Sequence, residues 1–389
     1  MTIIAFWLLA VALYVLATHM GKRVGLIPIV SQLMLATFGV PLLMMFWVEP
    51  HWQLSGAQLV APVWLKTLYG ISFAMVLGHI LSDVIDLRLD RQSLKVAVPS
   101  FLLPFVCGIA CAFWLLPGTG GLTTLALGLV FAITAIPVLY LYLVHIGYPA
   151  VAVKRLVQTA IAIDLTCWSL FGLAQGSLHL PSLGLPLLGA CVPLLWRVLG
   201  LRQPRLYSLS FFALLVVAEH YRLNALIFGI GYLMCMGRLG VPFVLPFPEK
   251  AFHAVQSTFA IPLLLTFGVV QIDIHGALAS MGPVFFIALL VVPMLSKLLG
   301  NWLGLRWATP SFPGAVRWKE CVLLNIRGLS EIVFLNLLLQ QKLIDPALYL
   351  ALMTMSLVAT LLPALLGMGR RTAVHSLEPE QERGSCAKR

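Results

Sequence analysis

Charged residues are scarce in this chain. Only 10% of its 389 residues are charged, as 25 Lys and Arg and 14 Asp and Glu, whereas soluble domains carry about 25%. So few charges cannot form the polar shell that a soluble core of this size needs. Because 60% of the residues are hydrophobic and the mean hydropathy is +0.98, the composition excludes a soluble enzyme and indicates a protein dissolved in lipid.

Other features are missing as well. The first apolar run begins at Thr2 with no basic segment before it, which excludes a cleaved signal peptide and predicts a retained span. Seven cysteines are present, yet no His or carboxylate near Cys107 and Cys111 completes a metal-binding set. We therefore expect no resident metal or cofactor.

Hydropathy predicts an all-α polytopic membrane protein with thirteen transmembrane helices, since each span needs about 17 to 25 mainly apolar residues. Spans of about 20 residues each leave no room for a soluble domain, and residues 368–389 are expected to form a short disordered tail. The predicted spans are 2–19, 24–48, 66–85, 95–117, 122–145, 156–178, 180–199, 206–220, 222–240, 253–272, 276–299, 316–339 and 345–367.

The basic residues predict the orientation of these spans. With the N-terminus outside, 20 of the 25 Lys and Arg fall in inner loops or the tail and three, Lys66, Arg222 and Lys342, fall outside. Basic residues near span ends are held on the cytoplasmic side. We therefore expect an integral protein of a bacterial inner membrane with its C-terminus in the cytoplasm, and the net charge of +11 needs no nucleic-acid partner.

Four charged residues within the predicted spans are the candidate functional charges: Asp164, Lys297, Arg327 and Glu331. A charge near mid-bilayer costs about 2.5 to 3.5 kcal/mol on insertion scales, so such residues face a cavity or a charged partner. Arg327 and Glu331 have the i, i+4 spacing of a mutual ion pair. Lys297 could instead extend to the inner surface, and Asp164 could be a structural acid.

Two predicted spans contain residues that interrupt helices. In the fifth, Pro137 removes a backbone donor while Thr134 offers a hydroxyl; in the twelfth, Asn325 and Gly328 weaken the helix. Each interrupted span is next to a span with a buried charge. Paired interruptions at corresponding positions of two halves indicate a transporter site near the bilayer midplane.

The order of several motifs resembles the monovalent cation/proton antiporter superfamily, in the branch of plant cation/proton exchangers and bacterial glutathione-gated potassium efflux systems. ITAIPVL is similar to the broken fifth helix of that family, and TAIAIDLTCW to the sixth helix, with Asp164 at the ion-binding aspartate and Trp168 at the tryptophan. The strings SKLLGNWLG and LLNIRGLSEIVFLNLLL follow in family order. The resemblance covers nearly the whole chain.

The resemblance implies an inverted-repeat antiporter fold with two broken, crossing helices. It divides residues 1–367 into a core, 95–178 and 276–367, and a scaffold, 1–85 and 206–272. Family members are commonly homodimers through the scaffold, which makes a second copy and the bilayer the expected partners.

The resemblance also implies a function and a site. Asp164, with Thr134 and Asn325, would bind a Na⁺ or K⁺ ion and a proton competitively, so that the chain exchanges one for the other. Lys297 falls where some members have a lysine paired to the aspartate. Lys297, Arg327 and Glu331 would be charge partners in the core, and Pro137 and Gly328 the helix breaks.

The chain departs from the family immediately before the aspartate, where an Asp, Asn or Gln is usual and Ile163 is present. With one titratable acid there, we expect electroneutral, one-for-one exchange. The departure also leaves open a repurposed exporter that moves another solute in a biosynthetic pathway.

A hypothesis of another class is an intramembrane prenyltransferase. Asp83, Asp86 and Asp90 have a spacing that resembles its first aspartate-rich motif, in which carboxylates hold magnesium. That fold needs a second acidic cluster, which the sequence lacks, so a solvated inner loop is the expected structure of 83–90.

Overall fold

A computed structural model defines the architecture of the chain. It describes residues 2–23, 28–82, 90–116, 118–176, 184, 188–221, 225–245, 248–271 and 282–368. Residues 369–389, where the disordered tail is predicted, lie outside the described residues, as do Asp83 and Asp86 of the prenyltransferase hypothesis.

The described residues form helices and turns. The first half consists of α1 Thr2–Arg23, α2 Pro28–Trp52, α3 Gly56–Val60, α4 Val63–Ser82, α5 Arg91–Leu115, α6 Gly121–Ala132, α7 Ile136–His145 and α8 Ala150–Gly176. The second half consists of α9 Val192–Val198, α10 Pro204–His220, α11 Ala225–Arg238, α12 Glu249–Val269, α13 Pro283–Ala308, α14 Gly314–Leu323, α15 Leu329–Gln340 and α16 Pro346–Leu365.

Each predicted span overlaps one helix or one pair of helices. Within the described residues, seven helices are long and apolar enough to cross a membrane: α1, α2, α5, α8, α12, α13 and α16. The fifth predicted span is the pair α6 and α7, and the twelfth is the pair α14 and α15. The predicted fold class, a polytopic all-α membrane protein with two broken helices, is therefore confirmed.

The first break lies before Pro137 rather than at it. Helix α6 ends at Ala132, residues 133–135 are not helical, and α7 begins at Ile136 with Pro137 in its first turn. Proline is well suited to a first turn, because its missing N–H has no intrahelical partner there and its φ angle is already helical. Pro137 thus starts the second half of the broken helix.

Small residues let the helices around the breaks approach closely. Gly300 and Gly304 of α13 lie against the backbone of α5, where an added Cβ would come within 2.6 Å of the carbonyl oxygens of Pro99 and Val96, respectively. This small-xxx-small spacing is typical of close membrane helix pairs. Helix α13 also contacts α16 and the first half of each broken helix, α6 and α14.

Substituting Gly304 tests this contact. We expect Gly304→Ala to destabilise the protein by about 1 to 3 kcal/mol, because the new methyl group meets backbone atoms that cannot rotate away. Thermal unfolding in detergent measures the effect. Gly314→Ala is the matched control, since no atom lies within 4 Å of a Cβ there. Equal melting temperatures for the two variants would contradict the close approach.

Candidate functional site: the crossing of two broken helices

The two breaks meet inside the protein. Residues 133–135 and 326–328 are not helical, and the Ala135 N–H donates a hydrogen bond of 3.2 Å to the Ile326 carbonyl oxygen. Four half-helix ends therefore converge: the C-terminal ends of α6 and α14 and the first turns of α7 and α15. Each end carries partial charge, negative at a C-terminus and positive at an N-terminus.

Two cations hold the C-terminal end of α6. The Arg327 guanidinium donates to the carbonyl oxygens of Val130 and Phe131, both at 2.7 Å. The Lys297 ammonium donates to the carbonyl oxygen of Ala132. All three carbonyl groups would otherwise lack an intrahelical partner, and positive charge is favourable at this end of a helix.

Carboxylates lie at the N-terminal ends. The Asp164 Oδ1 atom accepts a hydrogen bond of 2.9 Å from the Thr134 N–H, just before α7 begins. Glu331 lies in the first turn of α15. Asp164 is 2% exposed and Glu331 is fully buried, so both acids balance helix-end charge in the buried interior.

Arg327 and Glu331 form the ion pair that their spacing predicts. The Arg327 Nη1 and Glu331 Oε1 atoms are 2.9 Å apart and both side chains are buried. The backbone of the break is held from α16, where the Thr360 hydroxyl donates to the Arg327 carbonyl oxygen at 2.6 Å. Arg327 thus connects α15 to the end of α6 while neutralising Glu331.

Glycine is required at 328. Gly328 has a φ of 155°, and an added Cβ would lie 2.8 Å from the Val138 Cγ2 atom of α7. The position combines a backbone conformation that side chains disfavour with close contact between the two broken helices. The predicted break at Gly328 is where the chain enters α15.

Several polar atoms at the crossing have no hydrogen-bond partner among the described residues. All of these atoms are buried, and each belongs to Asp164 or to a residue at or next to one of the breaks. They are Thr134 Oγ1, Asp164 Oδ2, Asn325 Oδ1 and Nδ2, and Ser330 Oγ. Buried polar groups are nearly always paired, so a cluster of unpaired ones calls for an explanation. These oxygen atoms are the hard ligands that an alkali cation accepts.

The Lys297 side chain donates to the end of α6. Both Lys297 and Asp164 are described by the structure, and their charged nitrogen and oxygen atoms are not within the 4.0 Å of an ion pair. Pro137, Asn325 and Gly328 fall at the breaks as expected. Asp90, the described member of the aspartate-rich run, immediately precedes α5.

The sequence did not single out three polar residues of this region. Ser330 follows the second break and lies close to Asp164. Glu320 of α14 binds Arg155 of α8, with both carboxylate oxygens 2.6 and 2.7 Å from the same Nη2 atom. Asn301 of α13 donates to the Cys321 carbonyl oxygen at 3.0 Å. These partners are 20 to 166 positions apart, so no periodic pattern identifies them.

Comparison with known proteins agrees on the fold. No protein-family model matches the chain, and no curated protein matches it in sequence. Its structure is similar to that of the sodium proton antiporter MjNhaP1 from Methanocaldococcus jannaschii, with a TM-score of 0.56 at 14% sequence identity. The similarity covers 95% of this chain and 96% of that chain. The chain therefore has the fold of a membrane antiporter.

Removing one partner of the buried ion pair should be more harmful than removing both. We expect Arg327→Met to destabilise the protein by about 3 to 5 kcal/mol, because it leaves Glu331 charged and unpaired in a low dielectric. The double variant Arg327→Met/Glu331→Leu should melt closer to the wild type. Melting temperatures in detergent measure this, with the exposed Arg202→Met as control. Losses that simply add would show that the two residues act independently.

Proposed function

We propose that this protein is a secondary transporter that exchanges Na⁺ or K⁺ for protons by alternating access, with Asp164 as the ion-binding residue. The observation that carries the proposal is the state of the Asp164 carboxyl group. One oxygen is held by the Thr134 N–H, and the other, Oδ2, has no hydrogen-bond partner within 3.5 Å among the described residues, although the Ser330 side chain is nearby. The similarity of fold to a sodium proton antiporter supports it.

Competition at one carboxyl group produces the exchange. The Oδ2 atom can hold a proton or coordinate a cation, and occupancy by one excludes the other. Thr134 and Asn325 supply the further oxygen ligands, and Ser330 is close enough to join them. Because these side chains are buried, the bound ion must shed its water, so the ligand oxygens replace its hydration shell.

The remaining roles follow from the charges. Lys297 and Arg327 hold the end of α6, and Arg327 also neutralises Glu331. The core 95–178 and 276–367 would carry the site past the scaffold 1–85 and 206–272. The motifs favour the branch of plant cation/proton exchangers and potassium efflux systems. We also propose that the protein is a homodimer in a bacterial inner membrane, with its N-terminus outside.

Asp164→Asn tests the central claim. The amide can still accept the Thr134 N–H but can neither hold an exchangeable proton nor balance a cation. We expect the fold to persist and cation-dependent proton flux in proteoliposomes to fall to the background of empty vesicles. Asp90→Asn is the control, because the Asp90 side chain makes no capping hydrogen bond. Exchange at the wild-type rate by Asp164→Asn would remove Asp164 from the mechanism.

Ile163 favours a second candidate function, the export of another solute. Its side chain is 1% exposed and places an apolar group immediately before Asp164, where family members have a polar one. The site then has one fewer ligand for an alkali cation. A repurposed transporter would keep the crossing of the broken helices and take a different substrate.

The two candidates differ in their response to a panel of cations. Proteoliposomes with an imposed pH gradient are challenged in turn with sodium, potassium, lithium and an organic cation, and proton flux is followed by fluorescence. Cation/proton exchange predicts a response to at least one alkali cation, which Asp164→Asn abolishes. No response to any of them would favour export of another solute.

A further inference from the structure

Helix α13 holds both C-terminal half-helix ends at the crossing. Lys297 donates to the Ala132 carbonyl oxygen at the end of α6, and Asn301, one turn later, donates to the Cys321 carbonyl oxygen near the end of α14. The two side chains are four residues, or about 6 Å, apart along one face of the helix. Both are buried.

The two ends receive donors of different charge. At α6, three of the last four carbonyl groups accept from cations, Arg327 and Lys297. At α14, all of the last four accept from neutral N–H groups. They are Glu320 from the Leu324 amide, Cys321 from the Asn301 side chain, Val322 from the Asn325 amide and Leu323 from the Ile326 amide. Within the described residues, no cation therefore donates to the last four carbonyl groups of α14, in contrast to those of α6.

A second observation points to a ligand at this end. Asn325 directly follows the last turn of α14; its side chain is fully buried and neither its oxygen nor its nitrogen has a partner among the described residues. A cation is stabilised by the partial negative charge at a helix C-terminus. The end of α14 thus offers carbonyl groups without a cationic donor, together with an unused amide oxygen.

We propose that Asn301 is a positioning residue that holds the end of α14 with a neutral donor, so that this end stabilises the charge of the transported cation. The inference rests on the proposed cation/proton exchange and adds to it the place where the cation charge is balanced. In Asn301→Lys the new ammonium would donate to the end of α14, as Lys297 does to the end of α6. Its fixed positive charge would then take the place of the transported cation's charge.

Two variants of Asn301 separate charge from structure. Asn301→Lys keeps a donor for Cys321 but adds a positive charge, so the KM for the cation should rise on the order of tenfold while the melting temperature changes little. Asn301→Leu is nearly isosteric and lacks the donor, so the melting temperature should fall while the KM stays the same or decreases, because the end of α14 becomes more negative.

The measurement is cation-dependent proton flux in proteoliposomes, with sodium and with potassium, alongside thermal unfolding in detergent. Ser296→Ala is the matched control, since its hydroxyl donates only within α13, to the Pro293 carbonyl oxygen. An unchanged KM in Asn301→Lys would overturn the proposal. Should that variant not fold, a raised KM in Asn301→Leu would overturn it, and an unchanged or lower one would support it.

The design distinguishes this proposal from the function on which it rests. If the wild type exchanges neither sodium nor potassium for protons, the proposed function fails and the cation-balancing role of α14 fails with it. Whether Asn301 holds the end of α14 is then tested by the melting temperatures alone. A lower melting temperature for Asn301→Leu than for Ser296→Ala supports that role, and equal values contradict it.

Discussion

The structure depends on compensating backbone charge where two helices are interrupted inside hydrocarbon. A bilayer offers no water to unpaired N–H and C=O groups, so non-helical backbone survives at that depth only where protein groups satisfy it. Here the positive groups, Lys297 and Arg327, meet the negative end of α6, and the carboxylates Asp164 and Glu331 meet the positive starts of α7 and α15. Each of these four buried charges is thus opposite in sign to the helix end that it meets.

The surrounding helices keep these groups in register. Close packing of Gly300 and Gly304 against α5 sets the position of α13 along α5, and hence the position of Lys297 relative to the crossing. The partly buried Arg155–Glu320 pair joins α8, which carries Asp164, to α14, and Thr360 of α16 holds the second break. Because these contacts fix the helices that carry Lys297 and Asp164 and the backbone of the second break, displacing any of them would change the geometry at Asp164.

Hydropathy alone predicts most of the architecture, because a span must be apolar over about 20 residues whatever its neighbours are. The break at Gly328 is also readable, since glycine is the residue for an unusual φ. Pro137 shows the limit of such reasoning, because a proline can end one helix or begin another and only the fold decides. Asn301 and Ser330 escaped notice because a neutral polar residue changes hydropathy little, and their partners are distant in sequence.

Ile163 bears on how exchange would be coupled. With one free carboxylate oxygen in the site, a bound proton and a bound monovalent cation both neutralise Asp164, so the two loaded states of the proposed cycle carry the same charge. In the unloaded state the ionised Asp164 Oδ2 atom would be buried without a donor, which costs several kcal/mol. This cost would oppose movement of the empty core. In the proposed cycle the core would then cross the membrane readily when loaded with either ion and poorly when empty. A single acid, Asp164, next to the start of α7 and preceded by the apolar Ile163, would suffice for one-for-one coupling. A second carboxylate at 163 would add charge that no helix end at the crossing compensates.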